Sequence, residues 1–99
     1  VVKTIKRFAA EGKLVAAICA APSVLGENHI LEGKKATCHP GFEEKLLGAQ
    51  WLEQPVVVDG NVITSRGMGT AIDFAAKLVE IIKGTKEKDE LLKSIVYGE

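Results

Sequence analysis

The chain contains few aromatic residues, very little cysteine and no excess of either charge. Aromatic residues make up 5% of its 99 residues, and there are two cysteines. Thirteen basic and thirteen acidic side chains cancel to a net charge of +0, so the charge balance does not favour nucleic acid or an anionic membrane as a partner. No apolar run approaches the roughly 18 residues that a membrane span needs, and a disulfide framework needs more cysteines. We therefore expect a reducing, cytoplasmic setting.

The composition that remains is typical of a soluble α/β domain, with 46% hydrophobic and 26% charged residues. The chain opens inside an amphipathic helical pattern that has no N-terminal cap and ends at Gly12. The apolar run from Leu14 to Ile18 then predicts a parallel strand covered on both faces. An opening of this kind predicts that residues 1–99 are a fragment, or one piece of a cleaved chain.

The order of the later patterns predicts an α/β fold with at least one parallel crossover. Thr70 and Asp73 have the spacing of a helix capping box, with Asp in the acidic position. The predicted elements are a helix from Pro22, a strand at Lys35–Cys38, a short helix from Phe42 to Leu47, a hairpin of Val56–Val58 and Val62–Ser65, a helix from Thr70 to Gly84 and a helix from Lys86 to Val96.

Cys19 follows the first predicted strand directly and precedes a predicted helix, which is the layout of a nucleophile elbow. Ala20 and Ala21 are small enough for such a crowded turn. A cysteine near a helix N-terminus has a pKa of about 3.5 to 7.5 in known cases, so this position favours a thiolate. We expect a strained backbone at Cys19 and its sulfur in a pocket. The alternative is a buried cysteine that only fills space at the end of a strand.

Three segments in order resemble the ThiJ/PfpI superfamily, in the branch that contains the parkinsonism-associated protein. They are Ala16–Pro22 around the cysteine, Lys34–Gly41 around a histidine, and Thr64–Ala71 before the long helix. The resemblance covers nearly the whole chain, and Met68 departs from it because the family often has proline there. It implies a flavodoxin-like fold of the class I glutamine amidotransferase type, in which residues 1–99 are the C-terminal part of a single domain whose N-terminal part is missing. We expect the chain to need that part for stability, because half of such a sheet leaves a long open edge.

The resemblance implies that Cys19 and His39 are catalytic. His39 ends the second predicted strand, so in one parallel sheet it would lie near Cys19; a loop histidine that only hydrogen-bonds backbone is the alternative. His29 is expected to be exposed and Cys38 to be a packed, inert thiol. Ala20, Gly67 and Gly69 are expected to contribute to binding. The Gly67–Gly69 loop lacks a nucleotide motif but precedes a helix N-terminus that suits a carbonyl or carboxylate.

The resemblance implies an enzyme without a metal or organic cofactor, acting on 2-oxoaldehydes or their adducts as glyoxalases and deglycases do. The family's catalytic glutamate belongs to the missing N-terminal part, and a homodimer is also implied. The alternative is a redox-sensing or chaperone-like protein in which peroxide oxidises Cys19. Ala20 stands where PfpI-type peptidases have a histidine, and no histidine follows His39 to form an amidotransferase pair.

Overall fold

The chain is built from helices and strands in close to the order that the sequence predicts. The structure, a computed structural model, describes residues 2–95 and 97. Within those residues no helix combines the length and apolarity required to cross a membrane. The elements are α1 (Val2–Ala10), β1 (Val15–Ile18), α2 (Pro22–Glu27), β2 (Lys35–Ala36), β3 (Gln50–Trp51), β4 (Val56–Asp59), β5 (Val62–Ser65), α3 (Ala71–Lys83) and α4 (Thr85–Ser94), with 3₁₀ turns at Glu43–Lys45 and Met68–Thr70.

Most predicted elements are present, and the differences concern short segments. The helix predicted at Phe42–Leu47 is only a 3₁₀ turn, and the strand predicted at Lys35–Cys38 is only two residues long. The short strand β3 was not predicted. Helix α4 ends at Ser94, and the predicted end at Val96 lies outside the described residues, as does Val1 at the start of the chain.

The main sheet has three strands in the order β1-β5-β4. Strand β1 runs parallel to β5, with Val15 opposite Val62 and Ile18 opposite Ser65. Strand β4 pairs antiparallel with β5, which confirms the predicted hairpin. Because β5 is the middle strand, all four of its residues are buried. Its carboxyl end and that of β1 therefore lie side by side, at the edge where α/β proteins bind ligands.

The expectation that the second predicted strand joins β1 in one parallel sheet is wrong. Strand β2 pairs instead with β3 in a separate two-stranded ladder. Two backbone N–H groups of this segment donate to side chains of the hairpin: Lys35 to Asp59 Oδ2 at 2.7 Å, and Thr37 to Thr64 Oγ1 at 2.9 Å. These hydrogen bonds to side chains take the place of backbone pairing between β2 and the main sheet. Local sequence patterns do not reveal such long-range contacts.

The hydrophobic core is formed by buried residues from several parts of the chain. It unites residues of the strands, α2 and the connecting segments: Val15, Ala17, Leu25, Leu31, Ala36, Cys38, Leu46 and Val62. Gly26 allows α2 to approach the first 3₁₀ turn, because a β-carbon at this position would lie 2.2 Å from the Lys45 carbonyl oxygen. Leu25 of α2 and Leu46, which follows the 3₁₀ turn, belong to the same buried cluster as Cys38, which has no exposed surface.

The predicted capping box at the start of α3 is wrong. Thr70 is the N-cap residue, but its side chain makes no capping hydrogen bond. Its hydroxyl contacts Gly67 and Ser65 instead, and the Asp73 carboxylate accepts a hydrogen bond from the Tyr97 hydroxyl. Both side chains therefore serve contacts outside the helix, so the reciprocal pair does not form.

Candidate functional site

Cys19 lies directly after β1 in a backbone conformation that is rare for a residue with a side chain. Its φ is 66°, and a non-glycine residue in this region costs about 1–3 kcal/mol. Two backbone hydrogen bonds hold it there: its N–H donates to the Ser65 carbonyl at 3.1 Å, and its carbonyl accepts from the His39 N–H at 2.7 Å. The predicted position at a strand end and the predicted strain are both confirmed.

The expected surroundings of the sulfur differ from those observed. Cys19 is exposed, so the described residues do not enclose it in a pocket. Helix α2 has only six residues; Pro22 has no N–H group, and the Ser23 and Val24 N–H groups donate to the carbonyls of Ala20 and Ala21 at 3.0 and 2.9 Å. The first turn of α2 therefore directs neither of these two N–H groups at the sulfur.

His39 lies beside Cys19 because its backbone N–H binds the cysteine carbonyl. Its ring Nδ1 is 3.0 Å from the Pro40 carbonyl oxygen. Since a carbonyl can only accept, this contact places a proton on Nδ1 and leaves Nε2 of the neutral ring free to accept one. The Phe42 ring packs edge-on against the imidazole at a centroid distance of 6.1 Å. This tautomer suits a general base, although the catalytic role of His39 stays a prediction.

An open groove of about 400 Å³ adjoins His39. It is lined by His39, Pro40, Arg66, Gly67, Met68, Gly69 and Thr70. A β-carbon on Gly67 would lie 3.4 Å from Cδ2 of the His39 ring, so the loop packs closely on the imidazole. Thr70 Oγ1 fixes this loop by accepting from the Gly67 N–H at 3.0 Å. The structure thus brings Gly67, Gly69 and His39 together, whereas Ala20 does not line this groove and stays a predicted binding residue.

Arg66 is part of this groove, and the sequence reasoning did not single it out. Its Nε donates to the Cys38 carbonyl at 3.2 Å, which links the loop after β5 to the segment that carries His39. Its Nη1 lies 3.6 Å from an oxygen of Glu53, a side chain that is 70% exposed. The sequence signal that could have identified Arg66 is an isolated arginine between an apolar predicted strand and a glycine. It lies in one of the three segments that resemble the family.

Cys38 and His29 are located as expected, and neither lines the groove. Cys38 is fully buried, and burial, followed by the Glu43 carboxylate, raises the pKa of its thiol above the ordinary value, while Arg66 acts in the opposite direction. His29 is exposed and binds Glu32 Oε1 at 2.8 Å. In residues 2–95 and 97, no group of three or more His, Cys, Asp or Glu side chains is placed to hold a metal ion.

Comparison with known proteins identifies the family to which these features belong. The model of the DJ-1/PfpI family matches residues 1–81, and the chain belongs to this family. It is 44% identical over 96 residues to protein DJ-1 homolog B of Arabidopsis thaliana, covering 95% of this chain and 22% of the relative. It is 41% identical over 86 residues to a glutathione-independent glyoxalase of Caenorhabditis elegans, covering 85% of this chain and 46% of the relative. It is 34% identical over 84 residues to a deglycase of Pyrococcus abyssi, covering 83% of this chain and 51% of the relative.

Solved structures show that the fold is the flavodoxin-like α/β fold of this family. DJ-1beta of Drosophila melanogaster superposes with a TM-score of 0.90 at 36% identity, over 100% of this chain and 54% of the other. An oxidised DJ-1 of Toxoplasma gondii superposes with a TM-score of 0.91 at 33% identity, over 99% and 54%. The chain therefore spans about half the length of these structures, and it aligns with the C-terminal part of its relatives.

Proposed function

We propose that this protein is a cysteine-dependent enzyme that acts on 2-oxoaldehydes such as methylglyoxal, or on their adducts with amines, through the Cys19 thiolate. The observation that carries the proposal is the strained, exposed Cys19 turn, hydrogen-bonded to His39 beside the groove. Relatives named as a glyoxalase and a deglycase support this class of reaction. We propose no metal or organic cofactor, because the chemistry requires only a nucleophile and groups that transfer protons.

The reaction proposed for methylglyoxal balances without an oxidant. The thiolate adds to the aldehyde carbon, forming an S–C bond, and the aldehyde oxygen takes a proton. The hydrogen on that carbon then leaves as a proton and returns to the neighbouring carbon, while the hydroxyl proton moves to the second oxygen. Nε2 of His39, which is free to accept a proton, would carry this transfer. Water hydrolyses the resulting thioester, which releases lactate and restores the thiol.

We propose that other parts of the fold complete the site and cover the open side of the sheet. Strand β1 is at the edge of the main sheet, and an apolar groove of about 270 Å³ runs beside it, lined by Thr4, Ile5, Phe8, Leu14, Val15 and Ala16. Exposed strand edges and apolar surfaces of this kind are normally paired or covered. The N-terminal half of the relatives is the proposed cover and the proposed source of a catalytic acid. A homodimer and a cytoplasmic location also remain proposals.

The test compares the two cysteines in the full-length natural protein. We expect Cys19→Ser to lower the rate of lactate formation from methylglyoxal by about 100-fold or more, because a serine hydroxyl is a far weaker nucleophile at neutral pH. Cys38→Ser is the matched control and should keep most of the rate, since Cys38 is buried outside the groove. Equal losses in the two variants would contradict the assignment of Cys19.

A second candidate function is peroxide sensing, and the exposure of Cys19 favours it. One thiolate and two molecules of hydrogen peroxide give one sulfinate and two waters, by way of a sulfenic acid. Mass spectrometry of the peroxide-treated protein would then show two added oxygens on Cys19 and none on Cys38. Oxidation at Cys19 in a protein that does not turn over methylglyoxal would favour sensing over catalysis.

A further inference from the structure

The groove beside His39 has one lining residue with a permanent charge. Of its lining residues, Arg66 is cationic and none is acidic. A volume of about 400 Å³ is within the usual range for small-molecule sites, about 300–1,000 Å³. The electrostatic character of the groove therefore favours a small anion over a neutral ligand or a cation.

The Arg66 side chain is held in place but retains unused donors. Its hydrogen bond from Nε to the Cys38 carbonyl fixes the guanidinium relative to His39, and its side chain is only 21% exposed. Glu53 is a weak competitor, because its oxygen lies 3.6 Å from Nη1 and its side chain is 70% exposed. A guanidinium has five N–H donors in a planar fork that matches a carboxylate, so the Nη groups can bind one.

We infer that the groove is a carboxylate subsite, in which Arg66 binds the carboxylate of a 2-hydroxy or 2-oxo acid and His39 faces the neighbouring oxygen. The Nε2 lone pair of the neutral His39 ring would accept a hydrogen bond from the hydroxyl of a 2-hydroxy acid. The inference rests on the proposed function only for the identity of the ligand, since lactate is the product of that reaction. Binding of a carboxylate in the groove does not require turnover.

The test measures ligand binding by NMR in the full-length natural protein. The probes are lactate and lactamide, which have nearly the same shape but differ in charge. We expect lactate to shift the His39 ring signals in a saturable way and to leave those of His29 unchanged, because His29 is not part of the groove. The His29 and His39 signals are assigned with His29→Gln and His39→Gln variants. Lactamide should bind about tenfold more weakly or not at all, since it lacks the charge-assisted hydrogen bonds.

Variants at position 66 test whether lactate binding depends on the charge of Arg66 or on its contribution to the folded structure. Arg66→Met should weaken lactate binding about tenfold or more, and Arg66→Lys should restore part of it, because the charge returns without the planar fork. Arg7→Met removes a cation on α1 and should leave lactate binding unchanged. Equal shifts with lactate and lactamide, or full lactate affinity in a folded Arg66→Met variant, would overturn the inference.

The result is independent of whether the protein is an enzyme. Cys19→Ser, which removes the proposed turnover, should still bind lactate in preference to lactamide, because the discrimination is assigned to Arg66 and not to the thiol. Lactate binding without methylglyoxal turnover would refute the proposed enzyme and preserve the subsite. Turnover of methylglyoxal without selective lactate binding would support the proposed enzyme and refute the subsite.

Discussion

The two cysteines lie close together in the fold, and their surroundings differ in almost every respect. Cys19 is exposed in a left-handed backbone conformation, whereas Cys38 is fully buried in the core beside apolar side chains. A hydrogen bond joins the residue after Cys38 to the carbonyl of Cys19. Any difference in reactivity between the two thiols has to come from backbone geometry and exposure, because they are chemically the same group before the chain folds.

The largest expected difference between the two cysteines is their rate of alkylation. Iodoacetamide should modify Cys19 about 10³-fold faster than Cys38, since Cys38 becomes accessible only when the core opens. The measurement is mass spectrometry of tryptic peptides over time, with the protein fully labelled in denaturant as the control. Similar rates at the two sites under native conditions would show that the core around Cys38 is open.

A smaller difference should appear in stability, with opposite signs at the two positions. Cys19→Gly should raise the free energy of unfolding by up to about 1 kcal/mol, because glycine adopts a positive φ without strain. Cys38→Ser should lower it by about 1–3 kcal/mol, since it buries a hydroxyl in an apolar cluster. Urea denaturation of the full-length protein and both variants measures these changes. A Cys19→Gly variant less stable than the natural protein would mean that the thiol contributes packing that outweighs the strain.

The smallest expected effect is the contribution of Cys38 to the pH dependence of stability. Burial raises the pKa of this thiol in the folded state above the ordinary value of 9.0, so the folded protein holds its proton at a pH where the unfolded chain releases it. The resulting contribution to stability is fully present below pH 9 and is lost as the pH rises through the folded-state pKa. Natural protein and Cys38→Ala, melted between pH 8 and 10.5, should show a steeper decline for the natural protein. Parallel declines would contradict a raised pKa.

A second comparison, between the turn at Cys19 and the start of α3, shows how far local patterns can be trusted. At Cys19 the apolar strand, the two alanines and Pro22 all indicate a strand-to-helix turn, and the structure confirms it. At Thr70 the spacing to Asp73 indicates a capping box, but tertiary contacts with Ser65 and Tyr97 engage both side chains. A local motif therefore fails where its side chains find partners elsewhere in the fold.

The sequence by itself determined the α/β order, the strand end at Cys19, the hairpin and the long helix α3, because these depend on local periodicity and on glycine and proline placement. It did not determine that β5, rather than β2, lies beside β1, because strand order is set by long-range pairing. Nor did it reveal the link from Arg66 to Cys38, 28 positions apart in the chain. Only the tertiary structure places that guanidinium beside His39, because the groove forms where two separate loops meet at the carboxyl ends of the strands.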